Sequence, residues 1–353
     1  MSRVWLGGYT SDMDGKGEGI LTALVAPDGT LTDVALAAAT DSPSFIAQHP
    51  TLPVLYAVGE RAAELRAFSI GADAALEPLG EPAPAGAAAC HVAIDPAGRF
   101  AVVACWSSGQ VIAYALDPET GAVTGRAEAA AAADPHAGRP ESELVAPLPP
   151  HAPRQSRAHY VHFLADGRIV TIDLGFDLAR VWAFDEASAS LALDHEVVFP
   201  LGTGPRHIAA AADGRLFVDG EYAIDVSVLV PGEGGRYEIA SAAEARAVGR
   251  QAGESAAHLV LSEDESLLYV GVRGTNVIAT MSVSGTALAP VAEVLSGDGA
   301  AFPRHHAVIG GALYVANQLG GDVTVFALDA EGLPGQVLQR VPAGSPTAVV
   351  PAL

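Results

Sequence analysis

Lysine is almost absent from this chain of 353 residues: Lys16 is the only one, and the other Lys-or-Arg positions are all arginine. Lys16 sits in the Gly-rich turn Asp14-Gly-Lys-Gly17, which argues against a Schiff-base mechanism, since that needs a desolvated amine. Positive charge is scarce throughout, with 19 Lys plus Arg against 41 Asp plus Glu and a formal charge of −22. Phosphate backbones and anionic lipid repel such a surface, so neither nucleic acid nor a membrane is an expected partner. Cysteine is limited to Cys90 and Cys105, too few for a disulfide framework or a four-ligand zinc site, and both lie in apolar runs. Aromatic residues make up 6% of the chain, which disfavours a stacking platform for sugars or single strands. No 18 apolar residues run together, so no transmembrane helix is expected. Met1–Thr10 lacks a basic start followed by a long apolar stretch, and a cytoplasmic location is the expectation. There is no Gly-x-Ser-x-Gly elbow, phosphate loop or dinucleotide glycine fingerprint.

What the chain does have is hydrophobic mass, at 50% of residues, enough to bury a sizeable core. Length alone suggests two domains, but an internal repeat replaces them with one. A short apolar strand, an Asp-Gly-like turn, a second apolar strand, a polar loop and a third strand recur. The unit reads His91-Val-Ala-Ile-Asp-Pro-Ala-Gly-Arg-Phe-Ala-Val-Val-Ala-Cys-Trp106, and returns from His207 and from His258. Tyr56 and Tyr314 stand five repeats apart, about 52 residues per repeat, close to the period of a four-stranded propeller blade. Second strands are expected at Val4–Gly8, Val54–Val58, Phe100–Ala104, Arg168–Ile172, Leu216–Gly220, Leu267–Gly271 and Ala312–Ala316. The pattern predicts an all-β, seven-bladed β-propeller of four-stranded antiparallel blades, residues 1–353 forming a single domain. The chain opens on a second strand, and Ser345–Leu353 looks like a first strand with nothing after it. Pairing the C-terminal strand with the N-terminal blade would close the ring and remove its open edges. Residues 127–153 lack a strand pattern and read as an insertion, either a floppy surface loop or a lid.

If the first strand of each blade lines the channel, residues at its start gather at one mouth. The repeats place His91, His159, Arg206 with His207, His258, and Arg304 with His305 and His306 there. Second-strand ends add Glu60, Trp106, Asp173, Glu221, Arg273 and Gln318. An acidic chain that collects arginine and histidine around one opening builds a local anion site against its own global charge. His162 reads as a satisfied core histidine; His136, His151 and His195 read as surface. His305 and His306 are adjacent and would point to opposite faces, a poor chelating pair. Asp12 and Asp14 resemble the start of a calcium loop whose remaining ligands are missing, so an acidic turn is preferred.

Several longer motifs run nearly end to end: Gly8-Tyr-Thr10, Asp41-Ser-Pro-Ser-Phe45, Tyr56-Ala-Val-Gly-Glu60, Asp173-Leu-Gly-Phe-Asp177, Gly204-Pro-Arg-His207 followed by Glu221, and Ala316-Asn-Gln318. In these the chain resembles the seven-bladed propeller lactonases of the bacterial 6-phosphogluconolactonase type, a family that also includes fungal 3-carboxy-cis,cis-muconate lactonizing enzymes. The resemblance implies a catalytic group of one His, two Arg and one Glu, falling here on His159, Arg206, Glu221 and Arg273. Three places depart from the family pattern. Arg157 stands where the first His of Pro-His-x-His is usual, Gly220 where Asn precedes the Glu, and Ala104-Cys-Trp106 replaces Ala-Asn-Tyr.

Lactone hydrolysis needs a base to activate water and positive charge where the tetrahedral oxyanion forms. Arg206 and Arg273 are expected to grip the carbonyl oxygen and the substrate's anionic group, with Glu221 or His159 as base. Arg154, Arg157, His207, Arg304, His91 and Gln318 would extend the anion site. The expected partner is a small anionic lactone or carboxylate, phosphorylated or not. No cofactor and no metal is called for, since arginine supplies the charge, and a monomer or weak homodimer is expected. The same groups could run a muconate-type lactonizing cycloisomerase. A non-catalytic binding scaffold would instead show an aromatic or apolar top face.

Overall fold

The computed structural model describes residues 2–149, 153–185 and 190–353; His151 of the sequence reading lies outside them. Seven sheets are arranged as a propeller, and in each the strand nearest the axis is the first of its repeat. The inner strands are Pro346–Pro351, Pro43–Gln48, Ala89–Ile94, Ala158–Phe163, Pro205–Ala210, Ser255–Leu261 and Pro303–Ile309, which number the blades 1 to 7 in that order. Second strands fall where the repeats put them, at Ser2–Gly8, Val54–Gly59, Phe100–Cys105, Ile169–Asp173, Leu216–Gly220, Leu267–Arg273 and Ala312–Asn317. Blade burial explains their composition. Leu267–Arg273 is buried at every position because neighbouring blades cover both its faces, whereas the outer strand Ala287–Leu295 alternates strictly between partly buried and exposed residues.

The ring closes as expected. Pro346–Pro351 pairs antiparallel with Ser2–Gly8 and becomes the inner strand of blade 1. Seven hydrophobic clusters fill the seven interfaces between adjacent blades. The one containing Val4, Leu6 and Val349 with Tyr314, Val323 and Val325 joins the last blade to the first. A repeated latch crosses several interfaces. The buried Tyr56, Tyr269 and Tyr314, on second strands, each donate to a glycine carbonyl in the outer turn of the next blade: Gly121, Gly332 and Gly29, each at 2.6 Å. Those turns need the glycines, whose φ values are +74°, +80° and +84°. The tyrosines that mark the repeat in the sequence are therefore inter-blade fasteners.

The insertion begins later than its composition suggested, because Val123–Glu128 is the outer strand of blade 3 and absorbs its first two residues. It is also fastened down: Ala146 packs on Leu174 and Tyr222, and the Val145 amide donates to the Leu201 carbonyl at 2.9 Å. Two histidines read as surface are buried. His136 bonds the Phe199 carbonyl through Nε2, and His195 accepts the Tyr237 amide while its Nδ1 meets Asp194. His136 lies in the insertion and reaches the carbonyl just after the outer strand Ser190–Val198, whereas His195 lies within that strand and meets the next blade.

Candidate active site

One irregularity, repeated in all seven blades, builds the site. At the mouth where inner strands begin, each inner strand carries one residue more than the second strand it pairs with. Such a bulge leaves the extra residue unpaired and re-aims its side chain. The extra residue is Cys90, His159, Ala257, Arg304 and Thr347 in five blades; in the other two it falls within Ser44–Phe45 and Arg206–His207. Ser44, Cys90, His159, Arg206, Arg304 and Thr347 accordingly meet around one small cavity on the axis.

Glu221 is the centre of the charge network. It follows the second strand of blade 5, and its Oε2 lies 2.8 Å from Arg206 Nε and 3.1 Å from Arg273 Nη2. Arg206, Arg273 and Arg304 hold its carboxyl below the usual carboxylate range in spite of burial. Arg206 also meets His207 Nε2 through Nη1 at 3.1 Å, and Arg273 donates to the Ala256 carbonyl at 2.7 Å while lying over Phe302. Burial and the neighbouring Arg273 lower the Arg206 pKa to about 10. His159 shares the cavity with Arg206 and Arg304. Burial, followed by the charges of Arg206 and Arg304, pushes its pKa well below the ordinary histidine value, so the imidazole is neutral. Its buried Nδ1 has no hydrogen-bond partner. Arg304 donates to Gln318 Oε1 at 3.1 Å and to the Tyr9 hydroxyl at 2.7 Å, and that hydroxyl in turn contacts both Glu60 oxygens.

The histidines gathered by sequence divide into layers. His91, His207, His258 and His305 lie one ring beneath the arginines, joined by Phe45 and Tyr160. Ring centroids are 4.1 Å apart for Phe45–His91, 4.0 Å for His91–Tyr160, 4.6 Å for Tyr160–His207, 5.0 Å for His207–His258 and 3.9 Å for His258–His305. This collar contains the expected substrate ligands His91 and His207. The structure puts His91 between aromatic rings, its Nδ1 accepting the Val161 amide, while His207 meets Arg206 and lines the same small cavity as His159, Arg206 and Arg304. His306 turns out between blades 6 and 7 and bonds the Tyr269 carbonyl. Below the collar the channel widens into an apolar cavity of about 590 Å³, where His162 lies at the wall.

Arg154 lies in a double ion pair, to Asp134 at 2.7 Å and to the buried Asp177 at 2.6 Å, and so ties the insertion to the blade. The turn Asp173-Leu-Gly-Phe-Asp177 turns out to be a brace. Asp173 accepts the amides of Arg157, Gly175 and Phe176 and the Ser156 hydroxyl, and Asp177 accepts the amides of Gly202 and Gly204. Those two carboxylates fix the starts of the strands that carry His159 and Arg206. Sequence reasoning missed Tyr9 and Asp219. Tyr9 stood in a quoted motif; Asp219, fully buried, accepts the His207 amide at 2.7 Å, and burial raises its carboxyl to about 7.

The ring is all-β, and its mouth is lined by an Arg–Glu–Arg bridge, a neutral histidine and a further arginine. Residues 3–351 match the family model described as Lactonase, 7-bladed beta-propeller. A 6-phosphogluconolactonase of Bacillus subtilis is 25% identical over 290 residues, covering 79% of this chain and 77% of that protein. Among solved structures, a Lactobacillus plantarum protein superposes with a TM-score of 0.87 at 25% identity, covering 100% of both chains. A periplasmic gluconolactonase of Pseudomonas aeruginosa gives 0.86 at 23% identity, covering 100% of this chain and 99% of its own. The chain belongs to the seven-bladed β-propeller lactonase family. Among the described residues no helix is long and apolar enough to cross a membrane, and no group of His, Cys, Asp or Glu is placed to hold a metal ion.

Proposed function

We propose that this protein hydrolyses the cyclic ester of a small anionic sugar lactone at the mouth formed by His159, Arg206, Glu221 and Arg273. The observation that carries the reading is Glu221 bridging two arginines beside a neutral histidine whose buried Nδ1 has no hydrogen-bond partner, in a chain matched to lactonases over nearly its whole length. A charged mouth also differs from the apolar face a binding scaffold would present.

The chemistry divides among the residues. Glu221 stays ionised, and a carboxylate clamped by two guanidinium groups is a weak base. Its work is to hold Arg206 and Arg273 side by side, where their N–H groups face the negative charge that develops on the carbonyl oxygen as water adds. His159 is the base: it takes the proton from water and returns it to the ring oxygen as the ester bond breaks. The arginines that depress its basicity in the free protein are offset once an anionic substrate binds, so the substrate's own charge raises the imidazole toward a working pKa. Proton release from a panel of sugar lactones, phosphorylated and not, tests the reading. Arg206→Ala and Glu221→Gln should each lower kcat/KM about 100-fold or more; hydrolysis at near wild-type rate in both would sink the assignment.

A further inference from the structure

Among the described residues, one arginine beside the mouth has no counter-ion. Arg157 precedes the inner strand of blade 4, two residues before His159, and is 3% exposed. Its guanidinium lies 3.9 Å from the centre of the Trp106 ring. Among the described residues one hydrogen bond leaves it, from Nη2 to the Pro153 carbonyl at 3.3 Å, and its buried Nε has no acceptor. Among the described residues no carboxylate lies within ion-pair distance of it. Asp173, close by, spends its oxygens on backbone amides and Ser156. Every neighbouring arginine is treated differently. Arg154 has two aspartates, Arg206 and Arg273 share Glu221, and Arg304 reaches Glu60 through Tyr9.

A buried guanidinium without a counter-ion is costly to the folded chain, and an incoming anion relieves that cost, which an already paired arginine cannot offer. The indole covers one flat face, so the plane of the guanidinium is set in advance, and the acceptor-less Nε is the N–H left for an oxyanion. Arg157 immediately precedes the inner strand Ala158–Phe163, whose second residue is His159, and this sets it beside the reacting groups; burial lowers its pKa, and Tyr222, Asp173 and then Glu221 oppose that.

We propose that Arg157, seated on Trp106, is the subsite for the oxyanion at the end of the substrate remote from its ester, and that it sets the preference for anionic over neutral lactones. The proposal rests on the lactonase reading above. Carboxylate and phosphate share the required chemistry, and the assay separates them.

Wild type, Arg157→Gln and Arg157→Lys should be compared on glucono-lactone, on its 6-phosphate, and on a lactone bearing a carboxylate at that end. Arg157→Gln should raise KM for the preferred anionic lactone at least about tenfold more than for the neutral one, with kcat changing less. Arg157→Lys, which keeps the charge but loses the fork and the stacking, should fall between. Whichever anionic lactone shows the larger KM change identifies the oxyanion. Binding of inorganic phosphate, followed by calorimetry on the same proteins with folding checked by circular dichroism, separates the two ideas. Phosphate bound by wild type and lost in folded Arg157→Gln, with no lactone turned over, would keep the subsite and remove the hydrolase reading. Equal KM changes for neutral and anionic lactones, or undiminished phosphate affinity in Arg157→Gln, would overturn the subsite.

Discussion

At the scale of single residues, the arginines teach the main lesson. Five of them, Arg154, Arg157, Arg206, Arg273 and Arg304, look alike in the sequence as ligands for an anion, yet what each can do depends on its partners. Arg154 is spent on Asp134 and Asp177, and removing it would leave Asp177, whose side chain is 1% exposed, without its cation. Arg154→Gln should therefore lower unfolding free energy by about 3 kcal/mol in denaturant titration, with a smaller effect on KM; a KM change with unaltered stability would return Arg154 to the substrate. His159 gives a second expectation. Because its imidazole is neutral in the folded protein well below the ordinary histidine value, kcat/KM should stay level between about pH 8 and about pH 6.5. A half-titration inside that range would remove His159 as the base.

At the scale of elements, two devices recur around the ring. The bulge at the start of every inner strand takes a residue that an unbroken ladder would have aimed between blades and delivers it to the axis, which is how His159, Arg206 and Arg304 converge. The tyrosine latches hold three of the blades to the outer turn of the next. Tyr314 is the informative one, since its bond to the Gly29 carbonyl crosses the joint between the last blade and the first. Tyr314→Phe leaves a buried carbonyl without its donor and should cost about 1–3 kcal/mol, read as a lowered urea midpoint. A midpoint equal to wild type would show that the joint is held by packing alone.

At the scale of the whole molecule, the propeller carries a stack of uncharged imidazoles through its centre. Burial lowers His91, His159, His207 and His258 well below the ordinary value, His305 to about 3 and His306 to about 4. The unfolded chain takes up those protons below about pH 6.5 while the folded ring refuses them, so stability falls as pH falls, by about 1.4 kcal/mol per imidazole per pH unit. Asp219 and Asp225, raised to about 7 and about 6, work in the opposite sense, because the folded state keeps their protons. His162 adds to the first set and Asp173 to the second, so seven imidazoles against three carboxyls leave a net loss. The melting temperature should drop steeply between about pH 6.5 and about pH 4; a flat profile there would mean that the imidazoles are hydrated or paired in solution.

Much of this was legible before any coordinates. Strand periodicity, seven repeats and a split first blade follow from short-range hydrophobic pattern, because each blade can bury its faces only against its neighbours and must therefore repeat. The motif around Gly204-Pro-Arg-His207 and Glu221 also survives, since those residues lie on adjacent strands of one blade. Chain proximity stops helping beyond that distance. The Arg304–Tyr9 contact spans 295 residues, the bulges shift register without marking the sequence, and the buried fates of His136 and His195 depend on strands far along the chain. The sequence alone determined the ring and its closure and supplied candidates for the charged residues at its mouth. Only the tertiary structure decided which arginines are neutralised, which histidines sink into the collar and which cation is left open, because pairing depends on distances between blades that no local pattern encodes.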